Sequence, residues 1–145
     1  IDKSISIKKT NRGGKITLHN PGQKIVYFVI NLNKRKKSIR NLVRQIENII
    51  INFLKFYGIK SNADRKNIGI WVNNKKIAAI GIRVSRWVAY HGFSINVNNN
   101  LEDYKKIIPC GLDNNKITSI KNEGNKYKNI NSNLKKVIGK YLSKI

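Results

Sequence analysis

Apolar residues recur along the chain with two different periods, and these periods predict two kinds of element. Between residues 39 and 57 they fall at helical spacing, after Ser38, which suits a helix N-cap, and before Gly58, which suits a helix end. The run from Lys24 to Leu32 is rich in β-branched and aromatic residues and predicts a buried strand. The chain therefore combines helices with strands.

The remaining pattern predicts several short strands and two more helical segments. Asn73-Asn74 suits a two-residue hairpin turn between the first two of these strands. A further short strand is expected between the Gly-containing turns at residues 13–14 and 22. The predicted strands are Ile68 to Val72, Lys75 to Val84, Trp87 to Tyr90, Phe93 to Val97 and Ile117 to Ile120, and the helical segments are Leu101 to Ile107 and Leu134 to Leu142.

The fold class follows from the mixture of elements and from their connections. Hairpin-type connections predominate and no repeat of fixed period occurs, so we expect an α+β fold with a mixed or antiparallel sheet and flanking helices. With 145 residues, the chain 1–145 is most simply one domain. The order of the strands does not follow from the pattern.

The formal net charge of +23 points to an acidic partner, which could be nucleic acid, an anionic membrane or an acidic protein. However, Lys, Ile and Asn make up nearly half of the residues, as is typical of AT-rich coding sequence, and this bias alone can explain the charge. The basic residues are spread out, with short runs at Lys34–Lys37 and Lys135–Lys136, so a nucleic-acid partner is disfavoured. The chain has no apolar run long enough for a membrane span, and we expect no membrane partner.

The candidate chemistry starts from a lone cysteine, Cys110, between Pro109 and Gly111. An inert buried thiol is the ordinary alternative, but these neighbours favour a fixed loop with an accessible side chain. With one thiol and no signal peptide, we expect a cytoplasmic protein. Lys76 opens a strand of small and apolar residues, where partial desolvation would suit proton transfer, although a solvated hairpin lysine is the simpler interpretation.

Common catalytic patterns of other kinds are missing from the sequence. It contains only 7 acidic residues and has no Cys-x-x-Cys, His-Glu-x-x-His or phosphate-loop pattern. A thiol near an ammonium can attack an acyl carbon and form a thioester. Acyl transfer is therefore the enzyme class that these residues permit most easily.

Four ordered blocks of the sequence resemble the lipoyl(octanoyl) transferase family. The run Arg12-Gly13-Gly14-Lys15-Ile16-Thr17-Leu18-His19-Asn20-Pro21-Gly22-Gln23 is similar to the first motif of that family. The second, third and fourth blocks are Lys76 to Arg83, His91 to Asn98, and Pro109-Cys110-Gly111 followed by Thr118-Ser119. Together they span about three-quarters of the chain, from residue 12 to residue 119.

The resemblance implies an octanoyltransferase with the α+β fold of the biotin and lipoate protein ligase catalytic domains. It implies that Cys110 is the nucleophile and that Lys76 lowers the pKa of the thiol and moves protons. It implies no cofactor and no metal, with octanoyl-acyl carrier protein as donor and, as acceptors, lipoyl domains of 2-oxoacid dehydrogenase complexes and the glycine cleavage H protein. The substrate-binding residues it implies are Arg12, Gly13, Gly14, Lys15, Ile16, Thr17, Leu18, His19, Ala79, Ile80, Gly81, Gly92, Phe93 and Ser94.

Other interpretations stay open at this point. His19 and His91 could position substrate, or hold loops together by hydrogen bonds, which is the more ordinary role. Asn20 stands where the family has glycine, and family members carry an N-terminal segment before the first block, so the resemblance implies a truncated chain. The rival functions are an ATP-dependent lipoate or biotin protein ligase relative, a basic nucleic-acid-binding module, and a degenerate fragment that keeps the fold without the activity.

Overall fold

The computed structural model describes residues 5–14, 16–64, 66–107, 116–124 and 126–145. Its elements comprise five strands, two α-helices and two short 3-10 helices at Leu32–Lys34 and Leu101–Lys106. The α-helices are α1 (Ile39–Lys55) and α2 (Ile130–Leu142). The strands are β1 (Gln23–Asn31), β2 (Asn62–Ala63), β3 (Ile70–Val72), β4 (Lys75–Ser85) and β5 (Val88–Asn96).

The strands form one sheet in the order β1-β5-β4-β3-β2, and each neighbouring pair is antiparallel. The two helices pack against each other and contribute to one apolar core with the sheet. Phe53, Leu42 and Ile50 of α1 are fully buried there, together with Ile70 and Ile95 of the sheet. The predicted α+β class with an antiparallel sheet is confirmed.

Helix α1 begins and ends where the sequence predicts. The Ser38 side chain accepts a hydrogen bond from the backbone N–H of Asn41, which satisfies one of the free donors at the helix start. Gly58 has a φ of 68°, the left-handed conformation in which glycine carries no steric cost, and the chain leaves the helix there. The helical spacing of the apolar residues is explained by their burial against the sheet and α2.

Strand β1 forms as predicted but is not buried, and the prediction of a buried strand is wrong. Among the strands of the described residues, it lies at the edge of the sheet and pairs with β5 alone. Tyr27 and Val29 are 70% and 77% exposed, whereas Ile30 is buried. The apolar composition predicts an extended backbone, but burial depends on the position of the strand in the sheet, which composition does not give.

Two tight turns join β4 to the strands that precede and follow it in the chain. Asn73 and Asn74 have φ values of 46° and 63°, so the predicted hairpin turn between β3 and β4 is confirmed. Arg86 and Trp87, with φ values of 46° and 62°, form the corresponding turn between β4 and β5. The sequence does not signal this second turn, because neither residue type favours a positive φ.

The other differences from the predicted elements concern short segments. The two strands expected at Trp87 to Tyr90 and Phe93 to Val97 are one strand, β5, which continues through His91 although the φ of that residue is 70°. The strand expected between the Gly-containing turns is absent from the described residues 16–20, which are irregular. Ile117 makes only an isolated bridge to Lys76, so no strand forms over 117–120. Neither helix in the described part of the chain is long and apolar enough to cross a membrane.

Candidate active site

Lys76 is the second residue of β4, and its side chain lies against Gly69 in the segment before β3. A Cβ atom on Gly69 would overlap Lys76 Cε and would stand 2.7 Å from the carbonyl oxygen of Ala78. The φ of Gly69, 145°, also disfavours other residues. Lys76 Nζ lies 5.6 Å from the centroid of the Trp71 ring. Gly69 thus provides the space in which the half-buried lysine lies.

Cys110, like Pro109 and Gly111, lies in the segment 108–115, outside the described residues. The chain that follows this segment is described, and it runs beside Lys76. The backbone N–H of Thr118 donates to the carbonyl oxygen of Lys76 at 3.0 Å, and Ile117 forms a parallel bridge with Lys76. The fourth block therefore contacts the second block through the backbone, eight residues after Cys110.

A polar network, buried at Asn96 and exposed at His19, joins the first, third and fourth blocks. The Asn96 side chain donates to the carbonyl oxygen of Thr118 at 2.9 Å and accepts from Gln23 Nε2 at 2.8 Å. Gln23 Nε2 also donates to the Tyr104 hydroxyl at 2.8 Å, and Gln23 Oε1 lies 2.7 Å from His19 Nδ1. These side chains hold the start of β1, the end of β5 and the segment after Cys110 together.

Two neighbouring residues at this network, Asp103 and Tyr104, have shifted pKa values. Burial raises the pKa of Tyr104, although the hydrogen bonds that its hydroxyl accepts from Gln23 and donates to Asn96 oppose that effect, so the hydroxyl stays protonated at neutral pH. The neighbouring Asp103 has its pKa lowered, mainly because Asn20 Nδ2 donates to its carboxylate at 3.0 Å and further because Lys106 lies nearby. Asn20 therefore ties the first block to the 3-10 helix Leu101–Lys106.

The start of the first block lies along β4. The backbone N–H of Gly13 donates to the carbonyl oxygen of Ile82 at 3.0 Å, and the Arg12 side chain lies over Gly81. Arg83 Nη1 donates to the carbonyl oxygen of Asn11 at 3.0 Å. This part of β4 extends beyond its pairing with β3, so the N-terminal segment occupies an edge that β3 leaves open.

The two histidines have the hydrogen-bonded positions expected of residues that hold loops. His91 Nε2 lies 2.8 Å from Asn11 Oδ1, and the His91 ring lies 4.9 Å from that of Tyr90. His19 contacts Gln23 within the first block. Both contacts connect the N-terminal segment to the sheet region, which agrees with the more ordinary of the two roles considered for these residues.

The substrate-binding residues that the second and third blocks imply lie on both faces of the sheet, because successive side chains of a strand point to opposite faces. Ala79, Gly81 and Ser94 share the face of the sheet opposite the helices, with Ala79 paired to Ser94. Ile80 and Phe93 point to the other face and pack in the main core. Their side chains are therefore unavailable to line a site on the first face.

Gly92 has a packing reason for being glycine. A Cβ atom there would overlap the carbonyl oxygen of Val26 in β1, so only glycine lets the two strands approach. The contact at Gly81 is looser: the Arg12 side chain lies over it, with 3.0 Å between an ideal Cβ on Gly81 and Arg12 Cδ.

The remaining residues of the first block differ in their exposure. Leu18 is buried in a second, smaller apolar cluster with Tyr104 and Ile107. Thr17 is half-buried, Ile16 is 41% exposed, and Gly14 lies in an exposed turn with a φ of 86°. Lys15 lies outside the described residues.

Sequence reasoning missed several residues that organise this region: Gly69, Asn96 and Tyr104, and the role of Gln23. Gln23 and Asn96 lie inside the first and third blocks, and a polar residue at the end of an apolar run is a usable signal. Gly69 lies outside all four blocks, and nothing in the sequence relates it to Lys76.

Comparison with solved structures defines the class of fold. The chain is similar to lipoate-protein ligase A bound with ATP, with a TM-score of 0.76 and 13% identity over 91% of this chain and 57% of that one. It is also similar to the apo biotin protein ligase from Aquifex aeolicus, with a TM-score of 0.65 and 17% identity over 85% of this chain and 54% of that one. At these identities the likeness establishes the fold, which is that of the ligase catalytic domains, as the sequence resemblance implied.

Comparison of sequences then gives the family. Residues 2–142 match the model of the lipoyl protein ligase A/B catalytic domain, and the chain belongs to that family. It is 50% identical over 129 residues to an octanoyltransferase of Wolbachia pipientis subsp. Culex pipiens, covering 86% of this chain and 63% of the relative. An octanoyltransferase of Buchnera aphidicola subsp. Schizaphis graminum is 42% identical over 141 residues, covering 97% of this chain and 64% of the relative. The resemblance to octanoyltransferases is confirmed, and the chain spans just under two-thirds of the length of these relatives.

Proposed function

We propose that the chain carries the catalytic centre of an octanoyltransferase of lipoate biosynthesis. It would move an octanoyl group from octanoyl-acyl carrier protein to a lysine of a lipoyl domain, through a thioester on Cys110. The observation that carries this proposal is the backbone hydrogen bond from Thr118 to Lys76, which puts the chain after Cys110 beside the candidate acid–base residue. The identity to octanoyltransferases supports the substrate class.

In the first half-reaction, the Cys110 thiolate attacks the carbonyl carbon of the donor thioester. A bond from the Cys110 sulfur to the acyl carbon forms, and the bond from that carbon to the carrier thiol breaks. The Lys76 ammonium favours the thiolate by its charge and gives a proton to the departing carrier thiolate. No oxidant, metal or nucleotide is needed to balance this step.

In the second half-reaction, the amine of the acceptor lysine attacks the Cys110 thioester. An amide bond forms, the bond from the acyl carbon to the Cys110 sulfur breaks, and the released thiolate is again paired with Lys76. The neutral Lys76 amine left by the first step accepts the proton that the attacking amine loses. Lys76 therefore alternates between acid and base, and the catalyst returns to its starting state.

The small residues on the face opposite the helices would form a wall for the acyl chain. Ala79, Gly81 and Ser94 are small, and Arg12 covers one of them, so an extended alkyl chain would fit along this face. Both protein substrates implied by the resemblance tend to be acidic, and the net charge of +23 would favour their approach.

The test is to incubate the protein with octanoyl-acyl carrier protein and to measure its intact mass. We expect one octanoyl adduct, lost on treatment with hydroxylamine, and peptide mapping should place it on Cys110. Cys110→Ser should form no hydroxylamine-labile adduct, whereas Asn131→Asp, on the exposed side of α2, should behave like the natural sequence. Equal labelling of the protein and Cys110→Ser would contradict the proposal.

A further inference from the structure

Strand β4 has one extra residue where it pairs with β3, and this bulge changes the direction of the Lys76 side chain. Ile70 pairs with Ala78. Trp71, the next residue of β3, pairs with Lys76, which leaves Ile77 as the extra residue of β4. Ile77 and Ala78 are both buried in the main core, although neighbouring side chains of a regular strand point to opposite faces. The bulge therefore places the Lys76 side chain on the face opposite the helices.

Trp71 lies beside Lys76 on that face. Its side chain is 7% exposed, but it does not belong to the main core of the described residues, unlike Ile70 and Val72 on either side of it. The centroid of its ring lies 5.6 Å from Lys76 Nζ, and an ideal Cβ on Gly69 would stand 3.1 Å from the same nitrogen. The Lys76 side chain therefore lies across Gly69, with its ammonium group beside the indole ring.

A hydrogen bond at the edge of the indole ring holds the ring in this orientation. Trp71 Nε1 donates to the carbonyl oxygen of Asn67 at 2.9 Å. Asn67 is held in turn, because its Nδ2 donates to the Asp64 carboxylate at 3.2 Å. An aromatic face within about 6 Å of an ammonium group attracts the charged form, and indole does so more strongly than the other aromatic side chains. The ring is therefore held where it favours the ammonium form of Lys76.

We propose that Trp71 is a positioning residue that keeps Lys76 in its ammonium form on the face opposite the helices. This inference rests on the proposed function, in which the first half-reaction starts from the Lys76 ammonium. Trp71 has no part in bond making or breaking. Because its ring favours the charged state, loss of the ring should make Lys76 release its proton at a lower pH.

Two variants of Trp71 and one control isolate this effect. Trp71→Leu removes the aromatic face and keeps an apolar side chain against Lys76. Trp71→Phe is the milder variant, because a phenyl ring attracts a cation less strongly than indole and cannot donate to Asn67. The matched control is Trp87→Leu, since Trp87 is 40% exposed and its ring centroid lies 5.8 Å from a different ammonium group, that of Lys37.

The measurement is competitive acetylation by acetic anhydride from neutral pH to about pH 11, with mass spectrometry of the peptide that carries Lys76 and circular dichroism to confirm folding. The exposed neighbour Lys75 is the internal reference. We expect Trp71→Leu to lower the midpoint of Lys76 acetylation, so that the uncharged fraction below the midpoint rises about twofold to fivefold. Trp71→Phe should shift the midpoint in the same direction by about half as much, and Trp87→Leu should leave it unchanged.

The midpoint separates this role from a merely structural one. A change that only opens the site to the reagent would speed acetylation of Lys76 at every pH and leave the midpoint in place. An unmoved or raised midpoint in Trp71→Leu and Trp71→Phe, or an equal fall in Trp87→Leu, would overturn the inference. If Trp71→Leu does not fold, the result with Trp71→Phe decides.

Failure of the proposed function would give a different result. Formation of the octanoyl adduct by Lys76→Ala, measured by intact mass, tests that function without reference to Trp71. If the acetylation midpoint falls as expected but Lys76→Ala forms the adduct as fast as the natural sequence, the effect of Trp71 on Lys76 stands. The role assigned to Lys76 in acyl transfer is then what fails.

Discussion

The two faces of the sheet carry different kinds of side chain. The face toward α1 and α2 carries large apolar side chains such as Phe93, Ile95 and Ile80, packed against buried helix residues. The opposite face carries Ala79, Gly81 and Ser94, and a polar network around Asn96 lies where β1 and β5 meet. The first face accounts for folding. The second carries small and polar side chains beside a smaller apolar cluster, and the wall that we propose for the acyl chain lies on it.

This difference predicts that substitutions on the two faces will have separable effects. Changes on the helix side should lower the free energy of unfolding without altering the chemistry of Cys110. Changes of side chains on the other side should alter thiol reactivity or substrate choice with smaller losses of stability, except at Gly92, where the spacing of β1 and β5 itself requires glycine.

Phe53→Ala should have the largest effect. Phe53 is fully buried in α1, and the free energy of unfolding should fall by about 3–5 kcal/mol, since a buried aromatic ring is replaced by a cavity. Phe56→Ala, at a 49% exposed position one turn further on, should cost about 1 kcal/mol or less. Denaturant titration measures both, and a shift in the pH profile of Cys110 alkylation by iodoacetamide in folded Phe53→Ala protein would contradict the separation.

Gly92→Ala should also destabilise the protein, by about 3 kcal/mol, because the new Cβ overlaps the carbonyl oxygen of Val26 and the strands must move apart. Gly139→Ala is the control. Gly139 lies in α2 with open space around it, so alanine there should stabilise by about 0.5–1 kcal/mol. Thermal unfolding should show a lower Tm for Gly92→Ala and a higher Tm for Gly139→Ala. Similar changes in Tm for the two variants would show that the close approach of β1 and β5 is unimportant.

Ala79→Leu tests the small-residue face as a wall for the acyl chain. Each buried CH₂ is worth about 0.8 kcal/mol, so an intact site should prefer octanoyl over hexanoyl by about 15-fold. The larger side chain should remove most of that preference in a competition between the two donors. Ala63→Leu, at an exposed position of β2, should leave it unchanged. A preference of 15-fold retained in Ala79→Leu would place the acyl chain elsewhere.

Asn20→Ala should give the smallest effect, a rise in the pKa of Asp103 toward its ordinary value, because the first of its hydrogen-bond donors is lost. The folded-state pKa lies below that of the unfolded chain, so this contact contributes stability above the unfolded pKa and loses it as the pH falls through the folded pKa. NMR titration of the carboxyl signals measures the shift. Asp64, whose pKa is lowered mainly by the N–H of Lys66, should not move.

The sequence predicts the helix side of the molecule better than the other side. Helical spacing from Ile39, with Ser38 and Gly58 at the ends, is a local signal, and the structure confirms α1. The prediction that β1 is buried is wrong. Whether a strand lies at the edge or in the centre of a sheet depends on the order of the strands, which no local pattern encodes. The continuity of β5 through His91 depends on its pairing with β1 and β4, so a local sequence pattern does not predict it either.

Only part of the candidate site could be predicted from the sequence, and mainly from the four blocks. They identify Lys76 and the first-block residues, but they do not separate Ala79 and Ser94 from Ile80 and Phe93, which alternation places on opposite faces. The roles of Gly69 and Asn96 are contacts between segments far apart in sequence. Such contacts become visible only when the sheet brings those segments together.

The central claim is that the face opposite the helices supports transfer of an octanoyl group without a nucleotide. The most direct measurement mixes this protein with octanoyl-acyl carrier protein and a lipoyl domain, without ATP, and follows the intact mass of the acceptor. The proposal predicts one octanoyl group on the acceptor lysine, at a rate that Lys76→Ala lowers by about 10²-fold or more. An acceptor that stays unmodified without ATP and gains an acyl group only when ATP and free octanoate are added would contradict it.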